Sequence, residues 1–383
     1  MFKQVKLEDI AENIDYGLTA SAEKKRGKAK FLRITDIQDD AVDWGTVPFC
    51  NADARSLATR KLNAGDIVFA RTGATTGKSF LIRNCPRDAV FASYLIRVTP
   101  GRKVVPEYLS HYFRTDLYWS QIRSKSTGAG QPGVNASKLA TLLVPLPPLE
   151  EQKRIASILD QADALRRLRQ RAIDRASDLC KGQFSLLSRS ANSTRRTRLS
   201  EVMEIGSSTV DPKVEPYANQ PHVSPEHIAA HSGRVSWQDV RTAKQDGIIS
   251  GKYTFRSNDI LLSKIRPYLN KVAIADRDGI CSADMYVLCA DASAITLRFL
   301  KYLLMSPAFL GYAETNSTRA NIPKINRAQL SKFEFNLPEL AVQTNFETFC
   351  LGVERQVATQ TYAAAKTEEV FASLQQRAFR GDL

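Results

Sequence analysis

The apolar positions of this chain follow two periods in succession, and the succession occurs twice. Phe31 to Ile37, Asp66 to Ala70, Phe80 to Arg83 and Tyr94 to Thr99 are short, β-branched and flanked by turn residues, which predicts strands. Pro106 to Arg123 predicts a helix, because proline suits the first helical position and Leu109, Tyr112, Phe113 and Leu117 share a face. A Gly/Ser/Thr/Gln loop, Ser124 to Asn135, follows. From Leu149 to Leu187 the period changes to alternating threes and fours. Ile155, Ile158, Ala162, Leu165, Arg169, Ala172, Ala176, Leu179, Gln183 and Leu186 form a heptad stripe with two polar interruptions. Such a helix would be roughly 55–60 Å long at 1.5 Å per residue. Then come strands around Ser257 to Leu262, Val272 to Ala275 and Met285 to Leu288, and a helix from Thr296 to Leu304. A polar loop at Thr315 to Asn326 precedes a last helix, Leu340 to Phe379, with Phe346, Phe349, Val353, Val357, Phe371, Leu374 and Ala378 as its stripe.

The two halves match residue by residue. Leu146-Pro147, Leu149 and Gln152 recur as Leu337-Pro338, Leu340 and Gln343, 191 positions on (337 − 146). Asn135 and Asn326, and Leu109 and Leu300, keep the same offset. A period this long marks a duplicated module rather than a solenoid. The expected plan is a mixed unit at 1–147, a helix at 148–187, a basic linker at 188–198, a second unit at 199–337 and a second helix at 338–383. The fold class is α+β: two mixed α/β units in pseudo-twofold arrangement, with the two long helices packed as an antiparallel coiled coil. A protein built this way grips its partner at two places.

Composition narrows the partner. The 383 residues carry a net charge of +14, which favours a polyanion, with nucleic acid ahead of a membrane surface. The six cysteines show no CxxC and read as buried thiols of a reducing compartment. No apolar run approaches the roughly 18 residues needed to cross a bilayer, so no membrane association and a cytoplasmic location are expected.

Three features could carry chemistry. Gly73-Ala74-Thr75-Thr76-Gly77-Lys78-Ser79 resembles a phosphate-binding loop but has three residues between its glycines where the motif needs four. In the second half the same place reads Ile265-Arg266-Pro267-Tyr268-Leu269-Asn270. Asp66 and Asp259 are 193 apart (259 − 66), and at that offset Arg71 matches Lys264 and Lys78 matches Lys271. A strand–turn–strand tip with Arg71, Thr72 and Lys78, or with Lys264, Arg266, Tyr268 and Lys271, suits a DNA backbone or base edge; a solvated hairpin has the same composition. The late loops are the second pair: Ser126, Thr127, Gln131 and Asn135, then Thr318, Arg319, Asn321 and Lys324. Amides can pair with adenine and cations with guanine, although such residues also simply make turns. The run Lys24, Lys25, Arg26, Lys28 and Lys30 reads as a phosphate-contacting loop. His227 and His231 have helical metal-ligand spacing, but no third ligand completes a site, so no metal is expected.

The run Pro145-Leu146-Pro147-Pro148-Leu149-Glu150-Glu151-Gln152-Lys153-Arg154-Ile155-Ala156 closely resembles the specificity (S) subunits of type I restriction–modification systems. Gly65-Asp66-Ile67 and the closing Gln376-Arg377-Ala378-Phe379-Arg380-Gly381-Asp382-Leu383 resemble that family too, and the order domain, helix, domain, helix spans the chain. The second copy, Glu339-Leu340-Ala341-Val342-Gln343, lacks the Glu-Gln pair and the second proline. The resemblance implies that each unit is a target-recognition domain reading one half of a bipartite, asymmetric site in double-stranded DNA. The helices would set the spacer and dock two methyltransferase (M) subunits, through Leu146, Pro147, Leu149, Glu151, Gln152, Ile155, Leu337, Pro338 and Gln343. It also implies adenine methylation with S-adenosylmethionine by the methyltransferase, and ATP and Mg2+ chemistry by motor-nuclease (R) subunits. This chain itself would hold no active site and no cofactor. The competing readings are an NTPase using Gly73 to Ser79 and a stand-alone two-domain DNA-binding regulator.

Overall fold

The computed structural model describes residues 2–38, 40–125, 133–190, 194–317 and 322–383. They form two compact units, Met1–Gln170 with Ala363–Leu383, and Arg171–Tyr362.

In the first unit, β1 (Ala11–Tyr16), β2 (Ile67–Ala70), β3 (Ser79–Leu81) and β4 (Leu95–Pro100) form an antiparallel sheet in the order β1-β4-β2-β3. The register sets Val98 opposite both Ile14 and Ile67. The Ile67-Val68-Phe69-Ala70 run is apolar throughout because both faces of β2 are covered. Ile67 and Phe69 join Leu109, Tyr112 and Phe113 in one core, while Val68 joins Leu32, Phe91 and Leu95 in another. That second core lies beneath a smaller sheet in which Ala29–Leu32 runs parallel to Ala89–Phe91.

The second unit repeats this design. Here β5 (Met203–Ile205), β6 (Ile260–Ser263), β7 (Val272–Ile274) and β8 (Met285–Ala290) pair in the order β5-β8-β6-β7. Ile260 and Leu262 face one core and Leu261 another. The parallel pair recurs between His222–Val223 and Gly279–Cys281.

Each unit also contains parts of both long helices, α1 (Leu149–Ser190) and α2 (Leu340–Arg380). In the first unit Arg154 donates to the Leu383 carbonyl at 2.8 Å, and Arg166 donates to Glu368 at 2.6 Å while lying over the Phe371 ring. In the second unit Phe184 packs on Phe346 at 5.9 Å, with Cys180 beside Cys350. In both sets of contacts α1 ascends as α2 descends, so the pairing is antiparallel, as expected.

Four local expectations need correction. Pro106 to Arg123 is two helices, Pro106–Tyr112 and Asp116–Lys125, because the Thr115 hydroxyl accepts the Tyr118 amide and starts a new helix. Ser306 plays the same part for Pro307–Thr315. Of the expected linker 188–198, the described residues belong to regular elements: α1 runs to Ser190, and Thr194–Arg198 pairs antiparallel with Glu334–Pro338, burying Thr197 while Arg196 and Arg198 both reach Glu334. Gln4–Lys6 and Leu143–Pro145 make the equivalent pair in the first unit. On α1 the buried apolar positions include Ile155, Leu159, Ile173, Cys180 and Phe184, whereas Leu165, Leu179 and Leu186 of the expected stripe are exposed. The domain surfaces, not the partner helix alone, select the buried face of α1: Phe184 packs at 5.1 Å from Phe299. Finally, Cys289 is exposed and Cys85 half-buried; the other four thiols are buried.

Candidate nucleic-acid interface

The two hairpin tips have the same backbone. Ala70 N–H donates to the Lys78 carbonyl at 2.9 Å, and Ser263 N–H to the Lys271 carbonyl at 3.0 Å. Within the turns, Thr76 N–H reaches Gly73 O and Leu269 N–H reaches Arg266 O, closing 310 turns at Gly73–Thr75 and Pro267–Leu269. Each tip is joined to the late loop of its own unit. Thr72 bridges Gly133, and Ile265 bridges Lys324. Val134 N–H donates to Arg71 O at 2.9 Å, and Arg266 N–H to Pro323 O at 2.8 Å. Two candidate loops, separated by more than fifty residues of sequence, therefore meet in each unit. Gln131, Arg319 and Asn321, with Ser126, Thr127 and Thr318, lie outside the described residues.

The side chains on these shared frames differ in availability. In the first unit Arg71 and Lys78 are exposed, as is Thr72, and the Arg71 guanidinium lies 4.9 Å over the Tyr16 ring. In the second unit their counterparts are engaged. Lys264 is 6% exposed, donates to the Ala283 carbonyl at 2.7 Å and faces the rings of Tyr253 and Tyr286. Burial pulls its pKa down to about 8, helped by nearby Lys324 and Arg327. Lys271 donates to the Pro225 carbonyl at 2.6 Å, and Lys324 pairs with Asp284 at 3.6 Å. The paired cations read from the sequence are thus equivalent in position and not in exposure. Arg266 and Tyr268 are the exposed pair at this tip.

Other candidates divide similarly. Lys24, Lys25, Arg26 and Lys28 are exposed, but Lys30 donates to the Val47 carbonyl at 2.8 Å and lies 4.0 Å over the Phe49 ring. Asn135 caps the helix Ala136–Ala140 by accepting from Lys138 N–H, and Asn326 caps Arg327–Ser331 through Gln329 N–H. These two asparagines shape the late loops.

The Leu-Pro…Gln element is a buried clamp, a role the sequence reading missed. Gln152, 1% exposed, accepts the Val105 amide at 2.9 Å and donates to the carbonyls of Pro147 at 2.8 Å and Lys103 at 3.1 Å. Gln343, 0% exposed, accepts the Thr296 amide at 3.0 Å and donates to Pro338 at 2.8 Å and Ala294 at 3.2 Å. Leu337, Pro147, Pro338 and Ile155 are buried, and Leu146 is half-buried. Leu149 is 41% exposed at the start of α1, and Glu151, half-buried, pairs with Arg154 at 2.7 Å.

The geometry does not favour a nucleotide-binding loop. Lys78 is followed by the strand β3, not by the helix whose N-terminus would hold a phosphate. Gly73 and Gly77 have φ of 82° and 84°, positions that the second unit fills with Arg266 and Asn270. The glycines serve the turn. His227 accepts the Ser224 amide through Nδ1 in a 310 turn, and His231 stands apart in a left-handed turn at φ 59°.

Comparison with known proteins bears on the chain as a whole. The family model described as type I restriction modification DNA specificity domain matches twice, over residues 1–175 and 196–346. The EcoDI type I restriction enzyme specificity subunit of Escherichia coli is 35% identical over 193 residues, covering 49% of this chain and 41% of that protein. The chain thus spans about two fifths of the length of that relative. The StySPI specificity subunit of Salmonella potsdam is 24% identical over 389 residues, covering 92% of this chain and 82% of that one. Two solved structures share the fold at a TM-score of 0.55. A type I restriction–modification system S subunit from M. genitalium does so at 10% identity over 99% of this chain and 96% of that one. A chain from a study of complex assembly and conformational transition of the type I R-M system does so at 17% identity over 100% and 98%.

Proposed function

Since the chain belongs to the family of type I restriction–modification DNA specificity domains, we propose that it is the non-catalytic, sequence-reading subunit of a DNA methyltransferase and endonuclease complex. Each unit reads one half of a split, asymmetric target in double-stranded DNA. The observation that carries this is the doubled tip: one backbone frame, built twice, presenting Arg71, Thr72 and Lys78 in one unit and Arg266 and Tyr268 in the other. Equal frames with unequal side chains suit two different half-sites. Exposed cations such as Lys24, Lys25, Arg26, Lys28 and Lys78 supply salt-sensitive affinity for phosphates, and a few tip residues supply discrimination.

The long helices serve as spacer and as platform for two methyltransferase subunits. Supporting this, Leu165, Leu168, Leu179 and Leu186 of α1 are 46–62% exposed. In each unit two of them, Leu165 with Leu168 and Leu179 with Leu186, share a helix face and suit an apolar helix of a partner. S-adenosylmethionine belongs to those subunits, and ATP with Mg2+ to motor-nuclease subunits. No described helix is long and apolar enough to cross a membrane. The decisive experiment is to co-express the chain with its methyltransferase in a host lacking adenine methylation and map methylated adenines. A split motif is expected. Exchange of residues 1–147 for those of another member should change one half-site and spare the other; loss or alteration of both would refute the division of labour.

A further inference from the structure

The two tips differ most where the backbone is least permissive. Gly73 and Gly77 enter the left-handed region at φ 82° and 84°; at the equivalent places Arg266 and Asn270 do so at φ 47°. Glycine adopts this conformation freely, whereas a residue with a Cβ is strained there. Each of the two strained residues therefore calls for a compensating contact. Asn270 has one inside the unit: it is 5% exposed, and its amide donates to the Met305 carbonyl at 3.1 Å. Arg266 is exposed, and among the described residues its guanidinium has no hydrogen-bonding or ionic partner. Its backbone is held on both sides, by the bond to Pro323 O and by Pro267 opening the 310 turn. Gly73 shows that the turn closes without any side chain at this position, with nothing within 4 Å of where a Cβ would stand. The Arg266 side chain thus does nothing for the turn that glycine would not do better.

We propose that Arg266 is a specificity-determining residue, reading a guanine in the half-site of the second unit by donating from its guanidinium fork to O6 and N7 in the major groove. This rests on the reading of the chain as a DNA specificity subunit. The fork is planar and directional, so it benefits from a backbone clamped in one orientation; a phosphate contact, satisfied by a mobile lysine, does not require it. Tyr268, 45% exposed on the same turn, stands beside it.

The test uses the full chain co-expressed with its methyltransferase, as wild type, Arg266→Gly and Arg266→Lys. Methylated adenines are mapped genome-wide, and the purified complexes are titrated with duplexes differing at single base pairs. Arg266→Gly should make one G·C position of one half-site degenerate, lower affinity for the cognate duplex roughly 10- to 100-fold, leave the other half-site intact and not lower the unfolding midpoint. Arg266→Lys should lose the same discrimination while keeping the salt dependence of binding. An unchanged motif in Arg266→Gly would overturn the inference. So would equal weakening on every duplex with a shallower salt slope, which marks a phosphate contact, or a lowered unfolding midpoint with the motif retained, which marks a structural residue. If the wild-type complex methylates no defined motif, the reading of the chain as a specificity subunit fails and the inference with it.

Discussion

Gln152 accepts the amide hydrogen of Val105 at 2.9 Å, and through that bond the start of α1 is fastened to the start of the helix Pro106–Tyr112. Gln343 and Thr296 repeat the bond in the second unit at 3.0 Å. Each glutamine also holds two carbonyls, one of them buried, so its replacement leaves three backbone groups without this partner. Gln152→Leu and Gln343→Leu should each cost roughly 2–4 kcal/mol, read as a lower urea midpoint of the full chain. A loss below about 0.5 kcal/mol would show that water takes over these groups.

Lys264 should act on stability and not on DNA. Its pKa is about 8 in the folded chain against about 10.4 in an unfolded one. Below pH 8 both states are protonated and the cost of burying the cation is fully present. Between pH 8 and 10.4 the unfolded chain binds the extra proton, so stability rises with pH, by at most about 1.4 kcal/mol per unit. Subtracting the profile of Lys264→Met from that of the wild type should isolate this rise. The same variant should leave the salt slope of DNA binding unchanged.

Lys78 is the opposite case. It is exposed at the tip of the first unit, so Lys78→Ala should weaken binding to all duplexes alike and lower the salt slope by about 0.9. Nucleotide binding by the isolated wild-type chain, abolished by this substitution, would revive the NTPase reading.

The spacer role predicts a change of length without a change of letters. Seven residues inserted after Gln170 in α1 and after Tyr362 in α2 add about 10.5 Å of helix. The preferred gap between half-sites should grow by up to about three base pairs at 3.4 Å each, with both half-sites kept. Methylation mapping reads both quantities at once; an altered half-site would mean that the helices touch bases.

Much of this architecture is legible in the chain because long apolar periods are hard to mimic. The 191-residue offset locates α1, α2 and the glutamine clamps, and β2 and β6 stand out because both of their faces are buried. The remainder is hidden for physical reasons. Thr194–Arg198 reads as a linker since a two-stranded edge buries one threonine and leaves its arginines in solvent. Gly73 and Arg266 look unrelated because what they share is a sign of φ, not a side-chain chemistry. Lys264 looks like Arg71 because sequence records charge and not the two tyrosine rings and the carbonyl around it.

The first unit draws on residues far apart in synthesis. Phe371, Ala378 and Phe379 belong to the same core as Ile67, Tyr108 and Ile155. A ribosome adding about 5–20 residues per second would finish the second unit before delivering these three side chains. The unit made earlier must therefore wait, with part of its apolar surface uncovered, for a segment made after the whole second unit. Its folding is then tied to translation beyond the second unit: a transcript cut short near residue 362 would yield an intact second unit and a first unit without its closing helix.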